Sequence, residues 1–375
     1  MSLSGHLTIY LDAIAANWRA LDAMTAPEVE TAAVVKADGY GCGAAEVGRT
    51  LAKAGARTFF VALPEEGVAL RQAIGPAPTI YILGGYPLAA PPLRQATTQS
   101  PPPAGGRVRE GGRDTAGAAL YPAHDLRPVL NSALQAVAWF RAEPEAPCAI
   151  HLDSGMNRLG MEPDEFASLG PMPESVSLVM SHLACADMPE HPQTPAQITE
   201  FLRLTEGLAG PRSLSATAGI LRGPEHHFDL TRPGVGLYGG WPFTAARPVV
   251  TLDLPIIQIR DLAPGETIGY GANWTAARPS RIATLSSGYA DGLIRAMGNR
   301  AMGYIDGQPL PFAGRVSMDL IALDVTNCPT ATPGQMVEIL GSHQSIDDLA
   351  AAAGTIGHEI LTSLGSRYAR SYTGG

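Results

Sequence analysis

From Leu11 to about Gly236, short apolar runs alternate with amphipathic stretches. The stretch "LDAIAANWRALDAM" has its apolar residues at helical spacing, whereas "AAVVK" and "TFFVAL" are short and almost entirely apolar. Runs of the second kind are typical of strands in a parallel sheet that is covered on both faces. About eight strand–helix units fit into this length, so the pattern favours a closed (β/α)8 TIM-like barrel over an open sheet.

After about Gly240 the pattern changes to β-rich pieces that are separated by glycine and proline turns. Two examples are "PVVTLDLPIIQIRDL" and "AMGYIDGQPLPF", with little helical periodicity between such pieces. We therefore predict two domains. An α/β barrel would span residues 1–238, and a mostly antiparallel β domain with helix near its end would span residues 239–375.

Polar residues that precede helical patterns are the expected N-caps, namely Asn131, Thr194 and Ser345. Residues 87–122, in contrast, have no apolar period and are rich in proline, glycine and arginine. We predict a long surface excursion there, without a helix or strand of its own.

The composition is that of a globular protein with a large core, because 45% of the 375 residues are hydrophobic and 16% are charged. The net charge of −9 argues against nucleic acid or an anionic membrane surface as the main partner. We expect no secretory signal, and no apolar run is long enough to span a bilayer. Four widely spaced cysteines fit reduced thiols, which predicts a cytoplasmic protein.

Lys36 is the first candidate for chemistry. Lys36 and Lys53 are the only lysines of the chain, among 26 lysine and arginine residues. Lys36 ends a predicted strand and precedes the glycine-rich "ADGYGCGA", whereas Lys53 lies in a predicted helix. A partly desolvated amine at a barrel mouth has a lowered pKa and can form an imine with an aldehyde, which arginine cannot. The alternative is a solvent-exposed lysine that merely ends a strand.

Four more residues lie where chemistry is expected, each with a structural alternative. Arg158 and Arg232 follow short strands among glycines, where they could bind an anion or belong to plain turns. His182 ends an apolar run, at the predicted barrel mouth or in the core. Tyr270 is flanked by glycines in the β-rich region, where packing is its common role. The nine histidines show no spacing typical of metal ligands, so no metal site is predicted.

Seven segments in chain order resemble the motifs of bacterial alanine racemases, enzymes that use pyridoxal 5′-phosphate. They cover both predicted domains and are "AVVKADGYGCGA", "LDSGMNRLG", "SHLACAD", "RPGVGLYGG", "IGYGANWTA", "SSGYADGL" and "GRVSMD". Any one of these segments is a weak signal, whereas seven in order are specific. The resemblance implies the fold type III arrangement, a cofactor-binding barrel followed by a β domain.

The resemblance also implies roles for residues of both domains. Lys36 would hold the cofactor as an imine and act as one of two acid/base groups. Tyr270 would be the other, on the opposite face of the substrate's α-carbon. In this family the tyrosine comes from the partner subunit, so the implied enzyme is a homodimer with shared active sites. His182 and Arg232 would form a hydrogen-bonded relay behind the tyrosine, and Arg232 would also face the pyridine nitrogen.

Further residues would bind the cofactor or the amino acid, by the same resemblance. Arg158 would contact the cofactor's phenolic oxygen and the substrate. The phosphate would be held by Tyr40, Thr217, Gly234 and Val235. The substrate entrance and its carboxylate pocket would be lined by Tyr289, Met318 and Asp319 from the partner subunit.

Four positions depart from the family's pattern. His151 stands where many members have a lysine that is carbamylated to give the arginine an anionic partner, so Arg158 must be oriented in another way. Ala216 replaces an asparagine beside the phosphate-binding threonine. Ser366 corresponds to a tyrosine that often touches the phosphate, and Cys42 to a histidine. These departures bear on cofactor affinity and rate more than on the type of reaction.

The resemblance thus implies an isomerase that interconverts L-alanine and D-alanine and supplies D-alanine for peptidoglycan. Two alternatives stay open. The first is a racemase for other or more amino acids, such as serine or lysine, or a related decarboxylase, because the sequence does not give the size of the substrate pocket. The second is a protein that binds pyridoxal phosphate without catalysis. The β domain with Tyr270 argues against it, because a carrier needs no second base.

Overall fold

The computed structural model describes residues 5–88 and 116–375. These residues form a parallel barrel and a second sheet that is mostly antiparallel. The predicted fold class is therefore confirmed. Among the helices of the described residues, none is long and apolar enough to cross a membrane.

Eight parallel strands surround the barrel axis. Seven of them form one sheet in which each strand pairs with the next along the chain. The last strand pairs with the first, and Arg232 N donates to Ser215 O over 2.8 Å, so the barrel is closed on both sides of the last strand. The strands are Glu30–Thr31 with Ala33–Val34, Thr58–Val61, Thr79–Ile82, Leu126–Leu130, Cys148–His151, Val176–Met180, Arg212–Ser213 and Leu230–Thr231.

The strands form where the sequence has nearly continuous apolar runs. Phe59, Phe60, Ile80 and Ile82, for example, are completely buried in neighbouring strands, as expected for a sheet with covered faces. The helices of this part of the chain are Leu11–Asp22, Ala44–Ala54, Pro64–Ile74, Ala116–Ala123, Ala133–Ala142, Pro163–Ala167, Gln193–Leu204 and Thr217–Ile220.

Two of the three predicted N-caps are wrong. Ser132, not Asn131, caps helix Ala133–Ala142, because its Oγ accepts from Gln135 N over 3.2 Å. Thr194 is buried inside helix Gln193–Leu204, which begins directly after a proline. Ser345 is confirmed, since its Oγ accepts from Asp348 N over 3.1 Å.

Most of the predicted excursion at 87–122 lies outside the described residues. Its last part differs from the prediction, because Ala116–Ala123 is a helix. Tyr121 of this helix is completely buried, and its ring lies edge-on to those of Tyr86 and Trp139, with centroid distances of 5.5 and 5.7 Å. This aromatic packing stabilises a helix that the local sequence pattern does not predict.

The second sheet is built around one long strand, Val250–Leu262, which pairs antiparallel with three others. The N-terminal strand His6–Tyr10 belongs to this sheet, between the long strand and Ala369–Thr373, and its pairing with Ala369–Thr373 is parallel. The predicted domain boundary between residues 238 and 239 stays a proposal. It assigns His6–Tyr10 to the first domain, although this strand pairs within the sheet of the second domain. The remaining strands are Ser280–Leu285, Met302–Ile305, Gln308–Pro311, Ile321–Asp324 and Met336–Leu340.

Short elements of the β domain carry further residues of interest. A small hairpin pairs Thr267–Ile268 with Trp274–Thr275. Two helices near the C-terminus, Ile346–Ala353 and Gly357–Ser363, pack against each other. The second of these also contacts the segment Lys36–Tyr40 at the end of the first barrel strand, so the β domain reaches the mouth of the barrel.

Candidate active site

A pocket of about 650 Å³ lies at the carboxyl ends of the barrel strands, the place where barrel enzymes have their active sites. Its charged walls are mainly cationic, since Asp187 is the one acidic residue among the described residues that line it. The basic residues of its wall are Lys36, His151, Arg158, His182, Arg232 and His358. Such a pocket is suited to a ligand with several negative charges.

The structure brings all eight predicted cofactor-binding residues to this pocket. They come from segments that are far apart in the sequence but follow different strands of the same barrel. They are Lys36, Tyr40, Arg158, His182, Thr217, Arg232, Gly234 and Val235.

Lys36 follows the first barrel strand and is half-buried. Burial lowers the pKa of its amine, and the nearby guanidinium of Arg158 lowers it further, whereas Glu66 opposes the shift. A lowered pKa increases the share of unprotonated amine near neutral pH. Lys36 is therefore more nucleophilic than an exposed lysine.

The backbone after Lys36 is held in a left-handed conformation. Ala37, Asp38 and Tyr40 have φ values of 52°, 53° and 54°, which cost roughly 1–2 kcal/mol for each such residue. Side-chain carboxylates stabilise this conformation, since Ala37 N donates to Glu66 Oε1 over 2.7 Å and Ala44 N donates to Asp38 Oδ1 over 2.8 Å. The strained segment thereby places Tyr40 in the pocket wall.

Tyr40, Thr217 and Gly234 meet on one side of the pocket. Oγ1 of Thr217 accepts from Gly234 N over 3.1 Å and from Gly236 N over 3.2 Å. A Cβ atom at Gly234 would lie 2.4 Å from the hydroxyl of Tyr40, so a larger residue there would displace that hydroxyl. The ring of Tyr40 stacks on Tyr238 at a centroid distance of 4.5 Å. Two hydroxyls and backbone N–H groups thus gather where an anion with several oxygens, such as a phosphate, would fit.

Arg232 is buried in the pocket wall at 3% exposure. Its Nη1 donates to Ser213 Oγ, and its Nη2 donates to Ser181 O over 2.6 Å and to Leu214 O over 3.3 Å. Burial lowers its pKa to about 9, and it has no ion pair with a carboxylate of the described residues. The relay with His182 stays a prediction, because the hydrogen bonds of Arg232 go to other groups in this structure.

Two pocket histidines are neutral over most of the pH range. Burial, followed by the cations Arg232 and Arg158, lowers the pKa of His182 to about 3. Burial and Arg232 also lower the pKa of His151 to about 4, although Asp153 opposes this shift. Neither ring adds a charge to the pocket near neutral pH.

These shifts predict that the apo-protein loses stability on acidification. Between pH 6.5 and about pH 4 the unfolded chain binds protons at positions 151 and 182 that the folded protein does not bind. The free energy of unfolding therefore falls as the pH is lowered through this window. Since each unit of pKa shift is worth about 1.4 kcal/mol, we expect the fall from pH 7 to pH 4.5 to be about 2 kcal/mol smaller in His182→Gln.

Urea unfolding at a fixed protein concentration measures this difference. The control variant is His124→Gln, because His124 directly follows helix Ala116–Ala123 and lies outside the pocket; the difference expected for His182→Gln should be absent from it. Identical pH dependence in His182→Gln and the wild type would contradict the expected result.

Four residues with roles implied by the resemblance lie outside this pocket. Tyr270, in the hairpin loop of the β domain, is 75% exposed, and Tyr289 and Met318 are 43% and 54% exposed. Tyr289 N donates to Ser317 O over 2.9 Å, which places it beside Met318 and Asp319. Within the described residues, the pocket of a single chain thus contains none of these four residues.

Three pocket features were not predicted from the sequence. His358 reaches the pocket from helix Gly357–Ser363 of the β domain, and its ring centroid lies 5.8 Å from that of Tyr40. Asn131, expected as a helix cap, instead has its Oδ1 2.8 Å from Nδ1 of His151. Asp187 also lines the pocket. No sequence signal indicates His358, because it lies in an ordinary helical pattern. Asp187 had a signal, because it belongs to the segment "SHLACAD" that resembles a family motif.

The departures from the family pattern occupy different environments. His151 and Ala216 line the pocket. Cys42 is a buried free thiol, and Ser366 is exposed. His151 is thus the departure that places a different titratable group in the pocket wall.

A closed parallel barrel with a half-buried lysine in a cationic pocket, followed by a β domain, defines an enzyme of the α/β-barrel class whose pocket suits an anionic ligand. The chain belongs to the alanine racemase family and is an isomerase. The family model "Alanine racemase, N-terminal domain" matches residues 9–99 and 106–242, and "Alanine racemase, C-terminal domain" matches residues 249–372.

Known proteins of this family resemble the chain over its whole length. The alanine racemase of Dinoroseobacter shibae is 53% identical over 371 residues, which cover 98% of each chain. A crystal structure of alanine racemase from Bartonella henselae with covalently bound pyridoxal phosphate has a TM-score of 0.87 at 33% identity and 99% coverage of each chain. The biosynthetic alanine racemase of Pseudomonas aeruginosa has a TM-score of 0.86 at 34% identity, with 99% of each chain covered.

Proposed function

We propose that this protein interconverts L-alanine and D-alanine with pyridoxal 5′-phosphate bound to Lys36. The observation that carries the proposal is the pocket itself. A half-buried amine with a lowered pKa stands among arginines and neutral histidines, at the carboxyl ends of the barrel strands. An aldehyde that also carries a phosphate matches both the amine and the cationic wall.

The residues present fit this cofactor. Tyr40, Thr217 and the backbone at Gly234 and Val235 would hold the phosphate, since two hydroxyls and N–H groups meet there. Bound pyridoxal phosphate supplies an electron sink that makes the α-hydrogen of an amino acid acidic. Arg232 would face the pyridine nitrogen, where a guanidinium disfavours protonation and weakens that sink, which limits side reactions such as transamination.

Arg158 would bind the phenolic oxygen of the cofactor and the carboxylate of the amino acid. It lines the pocket, and it is exposed. A guanidinium presents a planar set of donors that suits oxygen anions. Arg158 would therefore orient the substrate relative to the amine of Lys36.

Racemisation needs two groups that carry a proton on opposite faces of the α-carbon. Lys36 would serve one face. Tyr270 of the partner subunit would serve the other, because the Tyr270 of the same chain is exposed and lies outside the pocket. The partner's Tyr289, Met318 and Asp319 would line the substrate entrance. The proposed enzyme is therefore a homodimer with shared active sites.

The proposed physiological role is the supply of D-alanine for peptidoglycan in the cytoplasm. The four cysteines are free and buried in this structure, which agrees with a reducing compartment.

An assay of isomer formation tests the proposed function. Purified protein with pyridoxal phosphate should convert L-alanine into an equal mixture of both enantiomers, measured by chiral chromatography. We expect kcat/KM for L-serine and L-lysine to be at least about 100-fold lower. A kcat/KM for L-serine or L-lysine above that for L-alanine would indicate a racemase for another amino acid. Release of carbon dioxide would indicate a decarboxylase, and unchanged L-alanine would indicate a protein that only carries the cofactor.

A further inference from the structure

Asn131 follows the barrel strand Leu126–Leu130, and its side chain is held in one orientation. Its Nδ2 donates to Leu83 O over 2.9 Å and to Val129 O over 2.8 Å. Because carbonyl oxygens can only accept, these two bonds identify the nitrogen end of the amide. The other end, Oδ1, lies 2.8 Å from Nδ1 of His151.

The orientation of the Asn131 amide determines where the His151 ring carries its hydrogen. An amide oxygen can only accept, so Nδ1 of His151 must be the donor. Burial, together with Arg232 and Arg158, lowers the pKa of His151 to about 4, so the ring is neutral near neutral pH. A neutral ring protonated at Nδ1 has a free electron pair at Nε2. Since His151 lines the pocket, the structure provides a hydrogen-bond acceptor in a wall that is mainly cationic.

The loop that carries Arg158 returns to the backbone of His151. Met161 N donates to His151 O over 2.8 Å, and Asp153 N donates to Met161 O over 2.9 Å. Within the loop, Oδ1 of Asp153 accepts from Gly155 N over 2.8 Å. These bonds hold the loop backbone beside His151, so that both side chains line the same pocket.

Arg158 is the cation that matches this acceptor. Arg232 already donates to three groups of its own wall, whereas Arg158 has no ion pair with a carboxylate of the described residues. We propose that His151 is a positioning residue whose Nε2 accepts a hydrogen bond from the guanidinium of Arg158 and directs it toward the anionic ligand. The identity of that ligand rests on the proposed function. A neutral acceptor orients Arg158 without neutralising it, so its whole charge stays available to the ligand.

Two substitutions separate the acceptor at Nε2 from the donor at Nδ1. His151→Gln places an amide oxygen near the position of Nε2, whereas His151→Asn keeps a donor for Asn131 but is too short to place its own oxygen at the position of Nε2. We expect His151→Asn to raise the KM for L-alanine and the Kd for pyridoxal phosphate about 10-fold more than His151→Gln, because a hydrogen bond to a charged group is lost. A purely structural role predicts the reverse order, which would overturn the proposal.

The tautomer of His151 provides a test that does not depend on activity. In apo-protein with ¹⁵N-labelled histidine, the ring signals of His151 are those that disappear in His151→Asn. We expect them to show a protonated Nδ1 and an unprotonated Nε2 at pH 7, and a ring protonated at Nε2 would overturn the proposal. Wild-type protein with the expected tautomer that forms no D-alanine would instead contradict the proposed function, so the two failures are distinguishable.

Discussion

Replacing Lys36 by alanine should abolish covalent attachment of pyridoxal phosphate and lower the rate of racemisation by at least about 10³-fold. Burial and the neighbouring Arg158 lower the pKa of this amine, which suits both proposed roles of Lys36, as a nucleophile for the aldehyde and as a proton carrier. Alanine removes the point of attachment and one of the two proposed acid/base groups at once. The expected loss is therefore larger than that for a residue with only one of these roles.

The chain offers a matched control for this substitution, because Lys53 is its only other lysine. Lys53 is exposed on helix Ala44–Ala54, so Lys53→Ala should keep wild-type activity. After reduction with borohydride, peptide mapping should find the cofactor on the peptide that contains Lys36 in the wild type and in Lys53→Ala. A label on Lys53, or racemisation at the wild-type rate by Lys36→Ala, would contradict the assignment.

The fold could be predicted where local patterns specify it. Apolar runs such as "TFFVAL" form barrel strands, and the Gly/Pro-separated pieces after Gly240 form the second sheet. Local patterns do not indicate the features that contacts distant in sequence decide. His6–Tyr10 joins the second sheet by pairing with Val250–Leu262 and Ala369–Thr373, and helix Ala116–Ala123 depends on aromatic packing against Trp139.

The candidate site likewise contains residues that local motifs indicate and contacts that only the packing of the elements produces. Glycine-rich motifs at strand ends indicate Lys36, Arg158 and Arg232, because such motifs mark the mouth of a barrel. His358 enters from an ordinary helix of the other domain. The hydrogen bond between Asn131 and His151 joins the ends of two neighbouring strands. Periodicity cannot reveal either feature, because both depend on how the elements pack.

The positions of the proposed acid/base groups lead to the second large effect. Lys36 lines the pocket, whereas Tyr270 lies on the β domain and is 75% exposed. We expect Tyr270→Phe to keep the cofactor and its absorbance, because Lys36 is unchanged, and to lower racemisation by about 10²–10⁴-fold. In deuterium oxide, Tyr270→Phe should still exchange the α-hydrogen of one enantiomer, whereas exchange from the other should fall with racemisation. The control is Tyr304→Phe, which should racemise at the wild-type rate. Tyr304 stacks on His343 in the β domain and does not line the pocket.

Mixing the two inactive variants tests whether the active site is shared between subunits. In a heterodimer of Lys36→Ala and Tyr270→Phe, one site would combine both substitutions, and the other would combine an intact Lys36 with an intact Tyr270. Random exchange of equal amounts of the subunits makes half of the dimers mixed, so about a quarter of the wild-type activity should return. If both groups acted within one chain, neither subunit would have a complete site and mixing would restore nothing. Full racemisation by Tyr270→Phe alone would remove the tyrosine from the mechanism altogether.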